Sequence, residues 1–344
     1  MPDTTILNPQ DWRFCVAPML DLTDRHCRYF HRLLTKRARL YTEMVTTGAL
    51  VHGDVPHHLD FSPEEHTVAL QLGGSDPKDL AHGAALAEKW GYDEVNLNCG
   101  CPSERVQKGS FGACLMSEPN LVADCVKAMQ DACSVPVTVK HRIGIDQIEE
   151  YAFVRDFVGT LYEAGVRVFI VHSRNAWLKG LSPKENREVP PLRRGVVYQL
   201  KKDFPDAIIV INGAIPDLGV ADEQLKHVDG VMLGRAAYYT PWQLADVDAR
   251  IYGDEHEPVT REQVIDEMER YVRLIKPDDH SLRAACRHMH GLLTGLAGAK
   301  GWRRTLSDAA LIREKGADIF RYAYGKAGWT DVDQFSAEDS EFFS

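Results

Sequence analysis

Seven short stretches of this chain combine proton-handling or hydrogen-bonding residues with the small residues that expose them. Asn96-Leu97-Asn98-Cys99-Gly100-Cys101-Pro102 sets a thiol on a Gly/Pro turn directly after an apolar run. Lys140 and Arg142 alternate with Val139 and His141, and His172-Ser173-Arg174 closes another run. Asn212-Gly213-Ala214 and Gly234-Arg235 close two more, while Ala17-Pro18-Met19 and Gln71-Leu72-Gly73-Gly74 lie upstream. A thiol or an amine can hold a proton, and an amide can fix a polar heterocycle. Glycine turns beside an arginine can receive a phosphate. Taken singly, each residue has an ordinary packing role. As a set they resist that account, because they come from seven different apolar runs.

These runs define the elements that must position the set. They are Phe14–Met19, Leu40–Val45, Val68–Leu72, Glu94–Asn98, Val137–His141, Val168–Ser173, Ile208–Asn212 and Gly230–Leu233. Most are continuously apolar, which suits strands buried on both faces of a parallel sheet. Helical signals separate them. Ser75-Asp76-Pro77 caps a helix carrying Leu80, Ala84 and Ala87, and Ser117-Glu118-Pro119 opens one with Val122, Cys125, Val126 and Met129 on one stripe. The alternation over residues 14–245 predicts an α/β fold, a (β/α)₈ TIM barrel. A doubly wound sheet would carry G-x-G-x-x-G after its first strand, and none is present. In a barrel, chemistry gathers at the C-terminal ends of the strands, where every residue singled out above falls.

The pattern changes near Tyr252. We expect the barrel over 1–250, a polar linker over 251–259, and a small all-α helical bundle with an acidic tail over 260–344. Its stripes are Val264, Ile265, Met268, Val272 and Ile275; then Met289, Leu292, Leu293 and Leu296; then Leu311, Ile312, Ile319 and Tyr322.

The 344 residues accommodate a barrel of about 250 plus a small unit. With 44% hydrophobic and 26% charged residues, collagen, a rod and wholesale disorder are excluded. The net charge of −10 by itself argues against a polyanionic partner. The distribution argues otherwise: residues 281–326 hold nine Lys/Arg against three acids, and residues 184–202 hold six against two. Such patches are the footprint expected for a phosphate backbone. The N-terminus has no basic or apolar signal region, and no apolar run approaches the ~18 residues of a membrane span. A cytoplasmic protein with eight reduced cysteines and no membrane association is expected. Cys99 and Cys101 lack a paired Cys/His set, so no metal site is expected.

The motifs A-P-M, Y-T-E-M-V, V-A-L-Q-L-G-G, N-L-N-C-G-C-P-S, V-K-x-R-I-G, V-H-S-R, I-N-G and M-L-G-R, in this order, resemble the tRNA-dihydrouridine synthase family. The likeness is strongest to its bacterial A-type members, which act on positions 20 and 20a of the D-loop. It spans essentially the whole chain. It implies reduction of the uridine 5,6 double bond in tRNA, with FMN delivering hydride to carbon 6 and NADPH reducing the flavin. Cys101 is then the acid that protonates carbon 5. A thiol titrating near 8.5 keeps its proton at neutral pH and can donate it. Cys99 is its neighbour and competitor, but only Cys101 precedes proline as in the family motif. Cys114 reads as a packed residue.

By the same resemblance Lys140 lies near the N1/O2 edge of the flavin. Gln71 meets its pyrimidine edge, and Pro18, Met19 and Leu20 press against the ring. His172, Asn212, Gly213, Ala214, Gly234 and Arg235 hold the ribityl phosphate. Ala214 departs from the family, which carries glycine or aspartate there; if that position needs φ > 0, alanine is costly. The uridine must leave its stack to reach the flavin, with Asn98 hydrogen-bonding the flipped base. Lys184, Arg187, Lys300 and Arg303 are the implied tRNA contacts. No separate nucleotide-binding domain is visible, so NADPH and RNA should take turns in one cleft.

Three other readings suit part of this set. An FMN barrel acting on a free pyrimidine, such as a dihydropyrimidine or dihydroorotate dehydrogenase, shares the rim but gives the basic helical region no task. A non-catalytic RNA-binding barrel leaves Cys101, Lys140 and His172 idle. A sugar-phosphate aldolase or isomerase using Lys140 as a Schiff base leaves the Cys-Pro turn unexplained.

Overall fold

The computed structural model describes residues 7–103, 106–107, 109–276 and 278–329. The acidic segment 330–344 lies outside the described residues. All eight apolar runs are parallel strands: β1 Phe14–Val16, β2 Leu40–Thr46, β3 Val68–Gly73, β4 Glu94–Cys99, β5 Val137–Arg142, β6 Val168–His172, β7 Ile208–Asn212 and β8 Gly230–Leu233. Their order is β1-β8-β7-β6-β5-β4-β3-β2. The two ends of that order meet just before β2. The Val16 N–H donates to the Arg39 carbonyl at 2.9 Å, and the Arg39 N–H donates to the Phe14 carbonyl at 2.9 Å. The sheet thus closes into the expected (β/α)₈ barrel. Strands β3, β4, β6, β7 and β8 are buried at every residue, because side chains fill the interior and helices cover the outside.

The local signals act as their chemistry dictates. Asp76 caps Pro77–Trp90 by accepting from the N–H groups of Lys78 and Asp79 at 2.9 and 3.0 Å, and Leu80, Ala84 and Ala87 are buried. In Pro119–Ala132 the stripe of Val122, Cys125, Val126 and Met129 is buried. Burial pushes the thiols of Cys125 and Cys286 up to about 12, which keeps them inert.

Beyond β8 the described elements are helical. Arg261–Ile275 buries Val264, Ile265, Met268 and Val272 as its stripe predicts. The other two stripes differ from expectation. Met289 to Leu296 is not a helix: Asp279–His288 ends before it, and a 3₁₀ turn follows at Met289–Gly291. At Gly291 a Cβ would stand 2.4 Å from Pro241 Cδ, so the chain here must pass close to the barrel backbone. Leu311 to Tyr322 is split into Ala309–Lys315 and Ile319–Lys326 at Gly316, whose φ is +56°.

The helical region is fastened to the Arg25–Leu34 helix of the barrel. One oxygen of Asp24 caps that helix, accepting from the His26 and Cys27 N–H groups at 2.9 and 3.0 Å. The other faces His288 Nε2 at 2.8 Å, and His288 Nδ1 faces the Tyr238 hydroxyl at 3.0 Å. His26 Nδ1 meets the Tyr271 hydroxyl at 2.8 Å, and Tyr271 stacks on Tyr29 with ring centroids 3.9 Å apart. One contiguous hydrophobic core runs from Phe14 and Phe30 to Met268, Trp302 and Phe320.

Inside the barrel, below the strand ends, Glu94 is wholly buried. It accepts from Trp12 Nε1 at 2.8 Å, from the Tyr41 hydroxyl at 2.9 Å and from the Thr138 hydroxyl, and it pairs with Arg39 at 3.1 Å. Glu94 therefore ties the β1 entrance to β2, β4 and β5 across the seam where the barrel closes. Replacing it by glutamine strands the buried guanidinium of Arg39. Urea denaturation of Glu94→Gln should show a loss of roughly 3–5 kcal/mol, partly recovered in Arg39→Met/Glu94→Gln. A loss under about 1 kcal/mol would mean that the pair is not what holds the seam.

Candidate functional site

Strand alternation turns Glu94, Asn96 and Asn98 of β4 to one side, with Thr138, Lys140 and Arg142 of β5 in register beside them. A single hydrogen-bonded ladder rises from Glu94 to the mouth. Asn96 Nδ2 donates to Thr138 Oγ1 at 2.7 Å, and Gln71 Nε2 donates to Asn96 Oδ1 at 2.8 Å. Asn98 Nδ2 donates to Gln71 Oε1 at 2.9 Å. Asn98 Oδ1 then receives the backbone N–H groups of Gly100 and Cys101, each at 3.0 Å. Every donor points towards the Glu94 carboxylate, so the charge at the bottom fixes the orientation of each amide above it. Asn98 thereby shapes the Cys101 turn, and one of its N–H groups has no partner among the described residues.

The two cysteines of the turn part company. Cys99 is fully buried in the core, and burial drives its thiol far above the ordinary range. Cys101 is partly exposed, with Sγ 3.6 Å from the Ser103 hydroxyl. Cys114 is half-buried and its Sγ donates to the Phe111 carbonyl at 3.1 Å. Lys140 sits in register with Asn98; burial, reinforced by the Arg142 guanidinium, lowers its amine to about 7. Arg142 is 5% exposed and donates to the carbonyls of Gly100 at 3.2 Å, Asn175 at 3.2 Å and Asn186 at 2.9 Å.

Across the mouth, the ends of β6, β7 and β8 form a cationic cradle. His172 is buried, and its Nδ1 has no partner among the described residues. Burial first, then the charges of Arg142, Lys140, Arg174 and Arg187, hold it neutral. Arg174 and Arg194 each have a buried Nε with no partner among the described residues. Their other nitrogens donate to the carbonyls of Pro190 and, at 2.6 Å, Ala214. Arg235 pairs with Glu188 at 2.7 Å. Gly213 has φ +109°, and a Cβ there would lie 2.9 Å from Ser173 Oγ and 3.3 Å from His172 Cε1. Ala214 has φ +50°, so the strain flagged from sequence is present, at roughly 1–2 kcal/mol. A backbone held tight below buried, unsatisfied N–H donors fits a phosphate-bearing group. From sequence, Arg142 and Arg174 stand at strand ends without an assigned role, and Arg194 is not singled out at all. Arg174 stands two residues after His172, and that spacing was the available signal.

The remaining residues fall as follows. Pro18 and Met19 are partly buried at the end of β1, whereas Leu20 is 65% exposed on the rim. Gln71 is enclosed in the ladder, and Asn212 Nδ2 donates to the Met232 carbonyl at 2.7 Å across β7 and β8. Gly234 leads into the Arg235–Tyr239 helix. Lys184 and Arg187 are exposed on the loop after β6. Lys300 and Arg303 are exposed on the Ala299–Thr305 helix. The basic segment 281–326 is partly neutralised: Arg321 is engaged by Glu262, Asp266 and Glu269, and Arg313 by Asp279.

Comparison with known proteins gives the same direction. A solved structure of morphinone reductase shares the fold, with a TM-score of 0.51 and 13% identity, covering 76% of this chain and 94% of that one. The tRNA-dihydrouridine(20/20a) synthase of Yersinia pestis is 56% identical over 87% of this chain and 86% of its own length. Those of Salmonella typhimurium and Escherichia coli K12 are each 55% identical, covering 92% and 93% of this chain and 95% and 92% of their own lengths. No helix among the described residues is long and apolar enough to cross a membrane. The profile of the dihydrouridine synthase (Dus) family matches residues 15–323, from the first barrel strand into the last described helix, and the chain belongs to that family.

Proposed function

We propose that this protein reduces uridines 20 and 20a in the D-loop of tRNA to 5,6-dihydrouridine, with FMN held in the barrel mouth and NADPH as the electron donor. The choice of these two positions rests on the identity to relatives that carry them in their names. The chemistry rests on one observation: Cys101 stands at the mouth on a turn fixed by Asn98, with Lys140 beside that amide.

FMN bound there supplies the hydride for carbon 6. The chain's own residues do the rest. The unpartnered donors of His172, Arg174 and Arg194 receive the phosphate, and Gly213 lets it approach the backbone. Lys140 offers positive charge to the reducing group at little desolvation cost, since it already lies out of water. The free N–H of Asn98 orients the flipped base. Cys101 holds the proton destined for carbon 5 on the side away from the ladder. Lys184 and Arg187 on the loop after β6, with Lys300 and Arg303 on the Ala299–Thr305 helix, grip the RNA backbone. A reductant and an RNA that share one opening bind in turn, and the site of action is the cytoplasm, where eight unpaired thiols stay reduced. A free pyrimidine would leave Lys300 and Arg303 without a purpose.

Three outcomes test the proposal. Cys101→Ala should lower dihydrouridine formation on unmodified tRNA by roughly 10²–10⁴-fold while NADPH still bleaches the flavin; normal turnover would remove Cys101 as the acid. Arg303→Ala should weaken tRNA binding several-fold and reduce the salt slope by about 1, with an unchanged flavin spectrum. An unaltered affinity would take Arg303 out of the interface. The third concerns pH. The protonated form of Lys140 is the one that favours an anionic group, and its amine is depressed to about 7. FMN affinity measured by fluorescence should therefore fall as pH rises from about 7 to 9, and Lys140→Met should flatten that dependence.

A further inference from the structure

The turn that carries Cys101 and the loop that carries Lys184 and Arg187 are far apart in sequence but braced together twice. Arg142 supplies one brace, reaching the Gly100 carbonyl on one side and the Asn186 carbonyl on the other. Gln107 supplies the second. Its Nε2 donates to the Pro102 carbonyl at 2.7 Å and to the Leu178 carbonyl at 2.8 Å, so one amide spends both its protons, one on each segment.

The far segment is stiff enough to transmit a displacement. The Asn186 side chain is fully buried, and its Oδ1 accepts from the Trp177 N–H at 2.8 Å. Its Nδ2 donates to the Trp177 carbonyl at 2.9 Å, with the Leu181 and Ser182 carbonyls at 3.3 and 3.4 Å. Residues 177–187 are therefore knotted around one amide, with Lys184 and Arg187 projecting from the knot into solvent. The near segment is anchored to the barrel at its start by Asn98. Beyond Cys101 it is tied by the Ala113 N–H to the Cys101 carbonyl at 2.9 Å, and by Gln107.

We propose that Gln107 is a positioning residue for Cys101. Its amide locks the acid-bearing turn to the RNA-side loop, so that RNA seated on Lys184 and Arg187 sets where the thiol stands. This rests on the function proposed above. A reacting atom misplaced by about 1 Å can cost on the order of 10²-fold in rate, so a brace with no substrate contact can still govern the chemical step.

The test uses the FMN-loaded protein, unmodified tRNA and two substitutions. Gln107→Met keeps the length and removes both donors; Gln107→Arg restores donors in a fork that can reach two carbonyls. In single turnovers, Gln107→Met should reduce its flavin with NADPH at the wild-type rate and bind tRNA within about two-fold of wild type. Oxidation of its reduced flavin by saturating tRNA should slow ten-fold or more, in line with the cost of misplacement. Gln107→Arg should recover most of that loss. In the FMN-loaded protein without RNA, iodoacetamide should alkylate Cys101 several-fold faster in Gln107→Met than in Gln107→Arg or wild type, as read by peptide mass. Wild-type flavin oxidation in Gln107→Met, with Cys101→Ala inactive, overturns the brace and leaves the acid standing. A defect confined to tRNA affinity also overturns it. Normal turnover in Cys101→Ala instead removes the acid, and with it the premise.

Discussion

A carboxylate with no exposure to water survives in a protein only if other groups take the place of its hydration. Glu94 meets that condition with Trp12, Tyr41, Thr138 and Arg39, drawn from the entrance to β1, from β5, and from β2 and the residue just before it. Those donors can converge only if the barrel is closed. Closure brings β3, β4 and β5 into the register from which Asn96, Gln71 and Asn98 rise. The result is directional: because the anion sits at the bottom, each amide presents its carbonyl upward to the next donor. The last carbonyl, on Asn98, meets the amides of Gly100 and Cys101. The place of the Cys101 thiol is thus set by a charge that never touches it.

Much of this was legible in the sequence, and for identifiable reasons. The eight strands could be read because most are buried on both faces, so their runs are largely apolar. Cys101 could be read because it falls between glycine and proline at a strand end. What escaped depends on partners remote in sequence. Arg142 looks like one more rim cation until Gly100, Asn175 and Asn186 arrive from three segments to receive it. Arg174 and Arg194 look like surface charges, yet folding leaves each with a buried nitrogen unsatisfied. The stripes after residue 288 misled because an apolar spacing that fits a helix also fits a chain that turns repeatedly over a hydrophobic floor. Gly291 and Gly316 decide which occurs.

Charge shows the same limit of linear reading. The count over 281–326 suggests a uniformly basic face. Folding sends Arg321 to Glu262, Asp266 and Glu269, and Arg313 to Asp279, removing both from any long-range field. Lys300 and Arg303 remain on the Ala299–Thr305 helix, with Arg304 beside them. The exposed basic group is smaller than the count suggests. Over a screening length of about 8 Å, a partner senses this local group, and the total of −10 is of little consequence to it.

Asp24 performs two services with its two oxygens, starting the first barrel helix and holding His288. Thr23, its neighbour, accepts the Met19 N–H at 2.9 Å and so shapes the strand end that lines the mouth. The polar stretch from Gly253 to Pro258 is therefore a seam in composition that the contacts of Asp24 run across. A C-terminal region without a histidine at position 288 would leave that oxygen of Asp24 unmet, and the mismatch would be felt first at the end of β1. The likeness to relatives likewise runs through barrel and helices, over more than nine-tenths of the chain.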